Sequence, residues 1–440
     1  MGFFQIVRQI ADFLWGPQML VFILGSGIYF SLRLKGVQFS QFKSAVKLLW
    51  SSRKSTGEGD ITPYQALMSA LSGIVGNGNI AGVATAIVIG GPGAVFWMWV
   101  SALILMATMY SESLLGFEFR EKDADGTFLG GPMVYIQQGL GWKWLAVLFA
   151  VAMSLKTLLA TTSIQSNSMS IALHNQFQIP QLISCLVIAG LTWIVVIGGI
   201  RSIARTAQVL TPFMTVAYLA AGFIVIALHF DRIPAAFTEI VRYAFTTHGA
   251  VGGFAGANVM MALRYGAARG AYSNEAGTGS VAIMHATAKS QSAVNQSLIS
   301  MLGVFIDTII VCTVTALVIL TADVWTGGLN STALASESFK TGLSFGNWIV
   351  LGSSLLFGYS TLIAWCFYGE QCAAFIFGDR AKVYYKWLFC TAILIGATSN
   401  AENIWSWGDL LNGITVLINL VGIVALSPVV AKLTFEKFRS

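Results

Sequence analysis

The sequence predicts an all-α polytopic membrane protein with about eleven transmembrane helices, two inverted repeats of five following one extra N-terminal helix. Three observations carry this. Of 440 residues, 56% are hydrophobic and only 10% are charged, where a soluble domain carries about a quarter charged residues. Apolar stretches of the length a bilayer requires, about 20 residues, recur along the whole chain. Two of these stretches, five spans apart, are interrupted by glycines and amides.

The expected spans run in order. The first, 13–32, is too long for a signal-peptide core and lacks a small-residue cleavage site, so it is expected to be retained. The second, 63–89, contains Ser72-Gly73-Ile74-Val75-Gly76-Asn77-Gly78-Asn79. The third, 93–119, carries Glu112, and the fourth, 144–172, carries Lys156, Gln165 and Asn167. The fifth, 180–200, and sixth, 206–230, read as plain apolar helices. The seventh, 252–284, is the most polar and glycine-rich, with Gly266, Arg269-Gly270 and Ser273-Asn274-Glu275-Ala276-Gly277-Thr278-Gly279-Ser280. The eighth, 292–321, holds Asp307-Thr308, and the ninth, 346–376, holds Ser360-Thr361 and Trp365. The tenth, 384–400, and eleventh, 408–430, are again apolar. No linker divides the chain, so 1–440 reads as one membrane domain, with 63–230 and 252–430 as its repeats. The segment 322–345 is expected to cap an entrance.

Charge orients the spans. Arg33, Lys35, Lys43, Lys47, Arg53 and Lys54 follow the first span, and basic loops stay in the cytoplasm. Alternation then puts eighteen of the 25 basic residues inside, among them Arg120, Lys122, Lys289, Arg380, Lys382 and Lys386. The N-terminus is therefore expected outside and the C-terminus in the cytoplasm. The net charge of +6 reflects these retained loops, not nucleic-acid binding. Five cysteines and four histidines are scattered without metal or redox spacing, so no cofactor is expected. No phosphate-cradling G-x-x-x-x-G-K-[ST], zinc-binding H-E-x-x-H or nucleophile G-x-S-x-G motif occurs, and no enzyme or ATP-driven pump is expected.

The interrupted spans carry the functional expectation. Glycine weakens a helix by about 1 kcal/mol relative to alanine, and Asn, Ser and Thr side chains compete for the backbone. Unwound backbone survives at membrane depth only when enclosed by protein or lining a polar cavity. Freed helix ends present N–H groups to a carboxylate and C=O groups to a cation. Broken helices at matching positions in two halves point to the central site of a secondary transporter. Small residues packing helices closely are the alternative for any one glycine. Glu112 and Asp307 are functional candidates as buried acids, although Asp307 has Arg264 and Arg269 as potential partners. Lys156 is expected either to snorkel or to cap a polar pocket.

Several blocks resemble the alanine or glycine:cation symporter family, the sodium:alanine symporters. They are Val75-Gly76-Asn77-Gly78-Asn79 with Ile80 to Ile87, Gly90-Gly91-Pro92-Gly93 through Trp99, and Gly130-Gly131-Pro132. Gln165 with Asn167, Ser273 to Gly277, Phe305 to Thr308 and Val311-Cys312-Thr313 continue the series. The resemblance implies a leucine-transporter-like fold and inward symport of alanine or glycine with sodium across a prokaryotic plasma membrane. It implies a substrate site at Gly76, Asn77, Gly78, Asn79, Gln165, Gly266, Gly270, Ser273, Asn274 and Trp365. It implies a sodium site at Ser72, Val75, Ser360 and Thr361, oxygen ligands that suit a hard cation. The expected partners are the amino acid, sodium and the bilayer, with no obligate protein partner evident. The family usually has Thr or Ser where this chain has Asn77. That larger amide either narrows the pocket or favours glutamine or asparagine. Proton coupling through Glu112 or Asp307, a passive channel and a non-transporting sensor are the other readings.

Overall fold

A computed structural model describes residues 3–53, 57–246, 255–396 and 401–439. It is nearly all helix. Helices α1 (Phe3–Leu14) and α2 (Pro17–Arg33) together make the first span, and Pro17 suits the first turn of α2. Two short helices, α3 (Val37–Ser40) and α4 (Phe42–Ser51), precede α5 (Pro63–Ile74) and α6 (Val83–Gly90). Thr62 and Gln65 close a reciprocal cap at the start of α5. Then follow α7 (Gly93–Glu118), a β1–β2 ribbon (Glu121–Lys122 and Phe128–Leu129), α8 (Pro132–Leu140), α9 (Lys143–Leu155), α10 (Thr162–Phe177), α11 (Gln181–Val196), α12 (Gly199–Leu228) and α13 (Ile233–Phe245). The second half comprises α14 (Ala255–Asn274), α15 (Ser280–Ala286), α16 (Ala293–Val304), α17 (Thr313–Ala322), α18 (Ser331–Gly342), α19 (Gly346–Phe377), α20 (Arg380–Gly396), α21 (Ala401–Ala425) and α22 (Ser427–Arg439).

Among the described residues seven helices are long and apolar enough to cross a bilayer, and α5 with α6 makes an eighth crossing if the bent pair is one span. The expected eleven is not reached on this measure. The helices at the other three positions fall short for separate reasons: α11 has 16 residues and α20 has 17, while α14 is polar and ends at a break. The apolar core is continuous through α7, α9, α16 and α19, and large apolar side chains such as Val21, Leu186, Ile194 and Phe213 are left outward. An outward apolar surface is what lipid requires. All five cysteines are free and buried.

The loops expected in the cytoplasm meet on one side. Arg120 donates to the carbonyls of Ala286, Ala288 and Glu58, each at 2.8 Å. Asp60 accepts from the Phe128 N–H at 2.9 Å, and Lys382 is bonded to Asp123 and Asp379. The segments after the expected first, third, seventh and ninth spans thus share one face, as alternation requires.

Candidate functional site

Two helices are broken where the sequence places glycines and amides. The second expected span bends by 54° between α5 and the following helix. Val75 is extended there, with φ −73° and ψ 99°, and the chain re-enters through a π-helical turn at Gly78–Gly82. In the seventh, the break is shorter than expected. Helix α14 stays intact through Gly266 and Gly270, and unwinding is confined to 275–279. Glu275, Gly277 and Gly279 all adopt positive φ, at 58°, 89° and 83°. Gly266 and Gly270 are close-packing glycines: a Cβ at 266 would lie 2.2 Å from the Ala94 carbonyl, and one at 270 would lie 2.9 Å from the Ser101 hydroxyl. Helix α14 rests on α7 there, so the small residues serve packing.

Buried polar side chains brace both breaks. Asn79 accepts from the Gly76 N–H at 2.8 Å and donates to Asp307 at 2.6 Å. Asp307 also accepts from Ser273 and Thr308, both at 2.9 Å, and Asn274 donates to Thr308 at 3.2 Å. Asp307 therefore joins the second, seventh and eighth positions, and neither Arg264 nor Arg269 is among its bonded partners. Glu112 accepts from the Gly277 N–H at 3.2 Å and from Asn419 at 2.8 Å, which holds the second break. Buried carboxylates need such partners.

A small pocket of about 60 Å³ lies between the breaks. Gly73, Ile74, Gly76 and Gly78 form one wall, and Tyr272, Ser273 and Glu275 form another. Thr361 and Trp365 of α19 and Gln165 of α10 complete it, with Lys156 from the π-helical turn Lys156–Thr161. Trp365 donates to the Gly73 carbonyl at 3.1 Å. Lys156 lies 3.4 Å from Glu275, 2.6 Å from the Asn412 side-chain oxygen and 4.3 Å from the Trp365 ring centroid. Thus the expected Gly76, Gly78, Gln165, Ser273 and Trp365 come together around one space. Asn79 and Asn274 stand behind it as braces, and Gly266 and Gly270 face α7.

Asn77 lines a second cavity of about 620 Å³ and not the small pocket. Its amide donates to Gln165 at 3.0 Å and accepts from Ser354 at 2.6 Å. Gly78, Ile164, Gln165 and Tyr272 face both spaces. The larger cavity is lined at its far side by Ser331, Thr332 and Ser336 of α18, inside the segment expected to cap an entrance. The residues expected at sodium also converge. Ser360 donates to the Ser72 carbonyl at 3.1 Å, and a Cβ added at Gly76, next to Val75, would meet the Thr361 hydroxyl at 3.1 Å.

Lys156, Tyr272 and Glu275 are pocket residues outside the expected set. Lys156 and Glu275 were each legible as ionisable groups at membrane depth. Their pairing was not, because 119 residues separate them.

A sequence model of the sodium:alanine symporter family matches residues 2–439. An uncharacterised transporter of Bacillus subtilis, YflA, is 41% identical, across 99% of this chain and 93% of its own. The sodium/alanine symporter AgcS of Methanococcus maripaludis is 39% identical, across 99% and 97%. The probable sodium/glutamine symporter GlnT of Bacillus subtilis is 36% identical, across 97% and 89%. Among solved structures, MhsT in complex with L-phenylalanine superposes with a TM-score of 0.57 over 86% of this chain and 99% of its own, at 11% identity. A sodium-coupled sialic acid symporter does so at 0.58 over 95% and 86%, at 13% identity. These two place the chain in the leucine-transporter fold.

Proposed function

The chain belongs to the sodium:alanine symporter family, and on that premise we propose that it imports a small neutral amino acid, alanine or glycine, together with sodium by alternating access. It is a multi-pass membrane protein of a transporter family, and we read it as a carrier and not an enzyme. The single observation that carries the substrate reading is the small pocket between the two breaks. At about 10–15 Å³ for each water-sized group, its 60 Å³ admits about four to six such groups, and alanine has about six non-hydrogen atoms.

The pocket's chemistry suits a zwitterion. At the break in the second span the N–H groups of Gly76, Asn79, Ile80 and Ala81 are already bonded to the Asn79 side chain and to the Gly76 and Asn77 carbonyls, which leaves the Gly78 N–H, at the start of the turn and in the pocket lining, to attract a carboxylate. The last carbonyls of α14, at Tyr272 and Ser273, attract an ammonium by the same dipole argument. Lys156 and Glu275 add one charge of each sign to the lining. Trp365 and Ile164 give the lining an apolar part against which a small side chain packs. Sodium is assigned to Ser72, Val75, Ser360 and Thr361, whose carbonyl and hydroxyl oxygens suit a hard cation.

Glutamine or asparagine transport is the second reading, favoured by Asn77 and by the likeness to GlnT. The bonds of Asn77 to Gln165 and Ser354 weigh against it. Both ends of that amide are engaged, and it lines the larger cavity and not the small pocket, so it is not free to greet a substrate amide. Proton coupling through Glu112 or Asp307 is the third.

In the proposed cycle the larger cavity is the outward approach, with α18 at its mouth. Binding in the small pocket neutralises the polar lining, and one repeat, 63–230 or 252–430, rocks against the other. At a membrane potential of 100 mV each entering positive charge contributes about 2.3 kcal/mol, so one sodium supports more than tenfold accumulation, at about 1.4 kcal/mol per factor of ten. The location we propose is a prokaryotic plasma membrane, N-terminus outside and C-terminus in the cytoplasm.

The test is uptake of labelled alanine into proteoliposomes under an inward sodium gradient and with potassium in its place. Accumulation only with sodium, competed by glycine but not glutamine, is the expected result. Sodium-independent uptake transfers the coupling to protons. Competition by glutamine over glycine transfers the substrate to the larger amides.

A further inference from the structure

A groove of about 550 Å³ runs along the outer surface between α9, the end of α19 and α20, and shares no lining residue with the pocket between the breaks. Leu155, Leu158, Ile376 and Leu388 form its walls, and Arg380 and Tyr384 line one end. Leu155, Tyr384 and Leu388 are exposed, so the groove lies on a surface that the apolar helices turn toward lipid.

Its depth in the bilayer follows from its neighbours. Arg380 opens α20 directly after Asp379, which pairs with Lys382 at 3.1 Å beside Asp123 and Asp125. An ionic cluster of this kind, with Asp125 well exposed, belongs at the water boundary. From Arg380 to Leu388 the helix rises about 12 Å, which carries the groove from that boundary into hydrocarbon.

The boundary end is electrostatically incomplete. Arg380 is exposed and has no ion pair or hydrogen bond among the described residues. The Tyr384 hydroxyl, one turn further along the same face, has none either. No acidic side chain lines the groove. An unpaired guanidinium and a phenol at the head of an apolar channel match an amphiphile with an anionic oxygen-rich head. Guanidinium suits phosphate in particular, because its fork of donors bonds two oxygens at once.

We propose that this groove binds an anionic phospholipid, its phosphate on Arg380 and Tyr384 and one acyl chain along Leu155, Leu158, Ile376 and Leu388. The acyl chain gains packing and not hydrophobic free energy, since bulk lipid is as apolar as leucine. Discrimination between lipids therefore comes from the headgroup charge. One arginine near the surface corresponds to about a fivefold preference for an anionic lipid. The site is independent of the substrate reading. It lies behind the pocket, on the helices that carry Trp365 and lead into Lys156.

The full chain, purified in detergent, is titrated with phosphatidylglycerol and with phosphatidylcholine of the same chains, and binding is read by native mass spectrometry and by thermal melting. The unchanged protein is expected to bind phosphatidylglycerol about fivefold more tightly. Arg380→Gln reduces that preference to less than twofold, Arg380→Lys retains most of it, and Ala381→Trp, which fills the groove, weakens both lipids. Lys432→Gln, on the distant C-terminal helix, leaves the preference unchanged. Equal affinity for the two lipids, or a preference that survives Arg380→Gln, overturns the proposal. Tight phosphatidylglycerol binding to a folded Ala381→Trp variant overturns the groove as the seat of the acyl chain.

Discussion

Lys156 and Glu275 meet at 3.4 Å in the wall of the small pocket, both buried, one from a π-helical turn and the other from a residue with positive φ. Removing a single partner of a buried pair leaves an uncompensated charge and costs about 3–5 kcal/mol. Lys156→Met alone and Glu275→Gln alone are expected to lose alanine uptake and to lower the melting temperature. The double variant removes both charges and regains much of the melting temperature without regaining uptake. A thermal-melt double-mutant cycle checks this, and additive losses in stability would reject the coupling.

Asn77 is tied at both ends of its amide, to Gln165 and to Ser354. Asn77→Ala frees Gln165, which lines both the small pocket and the larger cavity. Each lost hydrogen bond is worth about 0.5–1.5 kcal/mol, so the KM for alanine rises about tenfold. Glutamine becomes a competitor in the variant when it was none before. Competition assays with the two amino acids read both effects together.

The two classes of glycine are separable. At Gly76 an added methyl would press on the Thr361 hydroxyl, at 3.1 Å, with the Ile74 carbonyl at an ordinary contact distance of 3.8 Å, whereas at Gly266 it would meet the Ala94 backbone at 2.2 Å. Gly76→Ala is expected to fold and to raise the sodium concentration for half-maximal uptake, as Thr361→Ala also does. Gly266→Ala overpacks a helix contact and costs about 1–3 kcal/mol. Sodium titrations of uptake beside melting curves distinguish the two.

Lys382 closes a cluster with Asp123 and Asp379 outside the membrane. Burial pushes the Asp123 carboxyl up, but its bonds from Lys382 and Thr127 outweigh that and hold it below its usual value. Burial pulls Lys382 down, and its two carboxylates outweigh that and hold it above its usual value. A depressed acid contributes stability above its unfolded value near 3.9, lost as pH falls through the folded value. A raised lysine contributes below its unfolded value near 10.4, lost as pH rises through the folded value. The contribution is therefore flat from about pH 5 to pH 9. Lys382→Met lowers stability by about 1.5–3 kcal/mol, the worth of a charged hydrogen bond, equally at pH 6 and pH 8. Melting curves at both values check it.

Composition and local pattern were enough for the membrane class, for most of the long apolar helices and for the existence of the two breaks, because each depends on residues near one another in the chain. Twenty apolar residues demand a bilayer wherever they lie, and Gly76-Asn77-Gly78-Asn79 weakens a helix without help from elsewhere. The same local logic placed the second break too early, since glycine at 266 and 270 reads alike whether it unwinds a helix or packs one. Only the tertiary structure showed α7 lying against those glycines and left the unwinding to 275–279. It also brought Lys156 to Glu275, Asn79 to Asp307 and Asn77 to Ser354. Those pairs are set by how helices cross, a long-range property that no run of neighbouring residues encodes. They are what turn two weakened helices into a pocket lined by a buried ion pair.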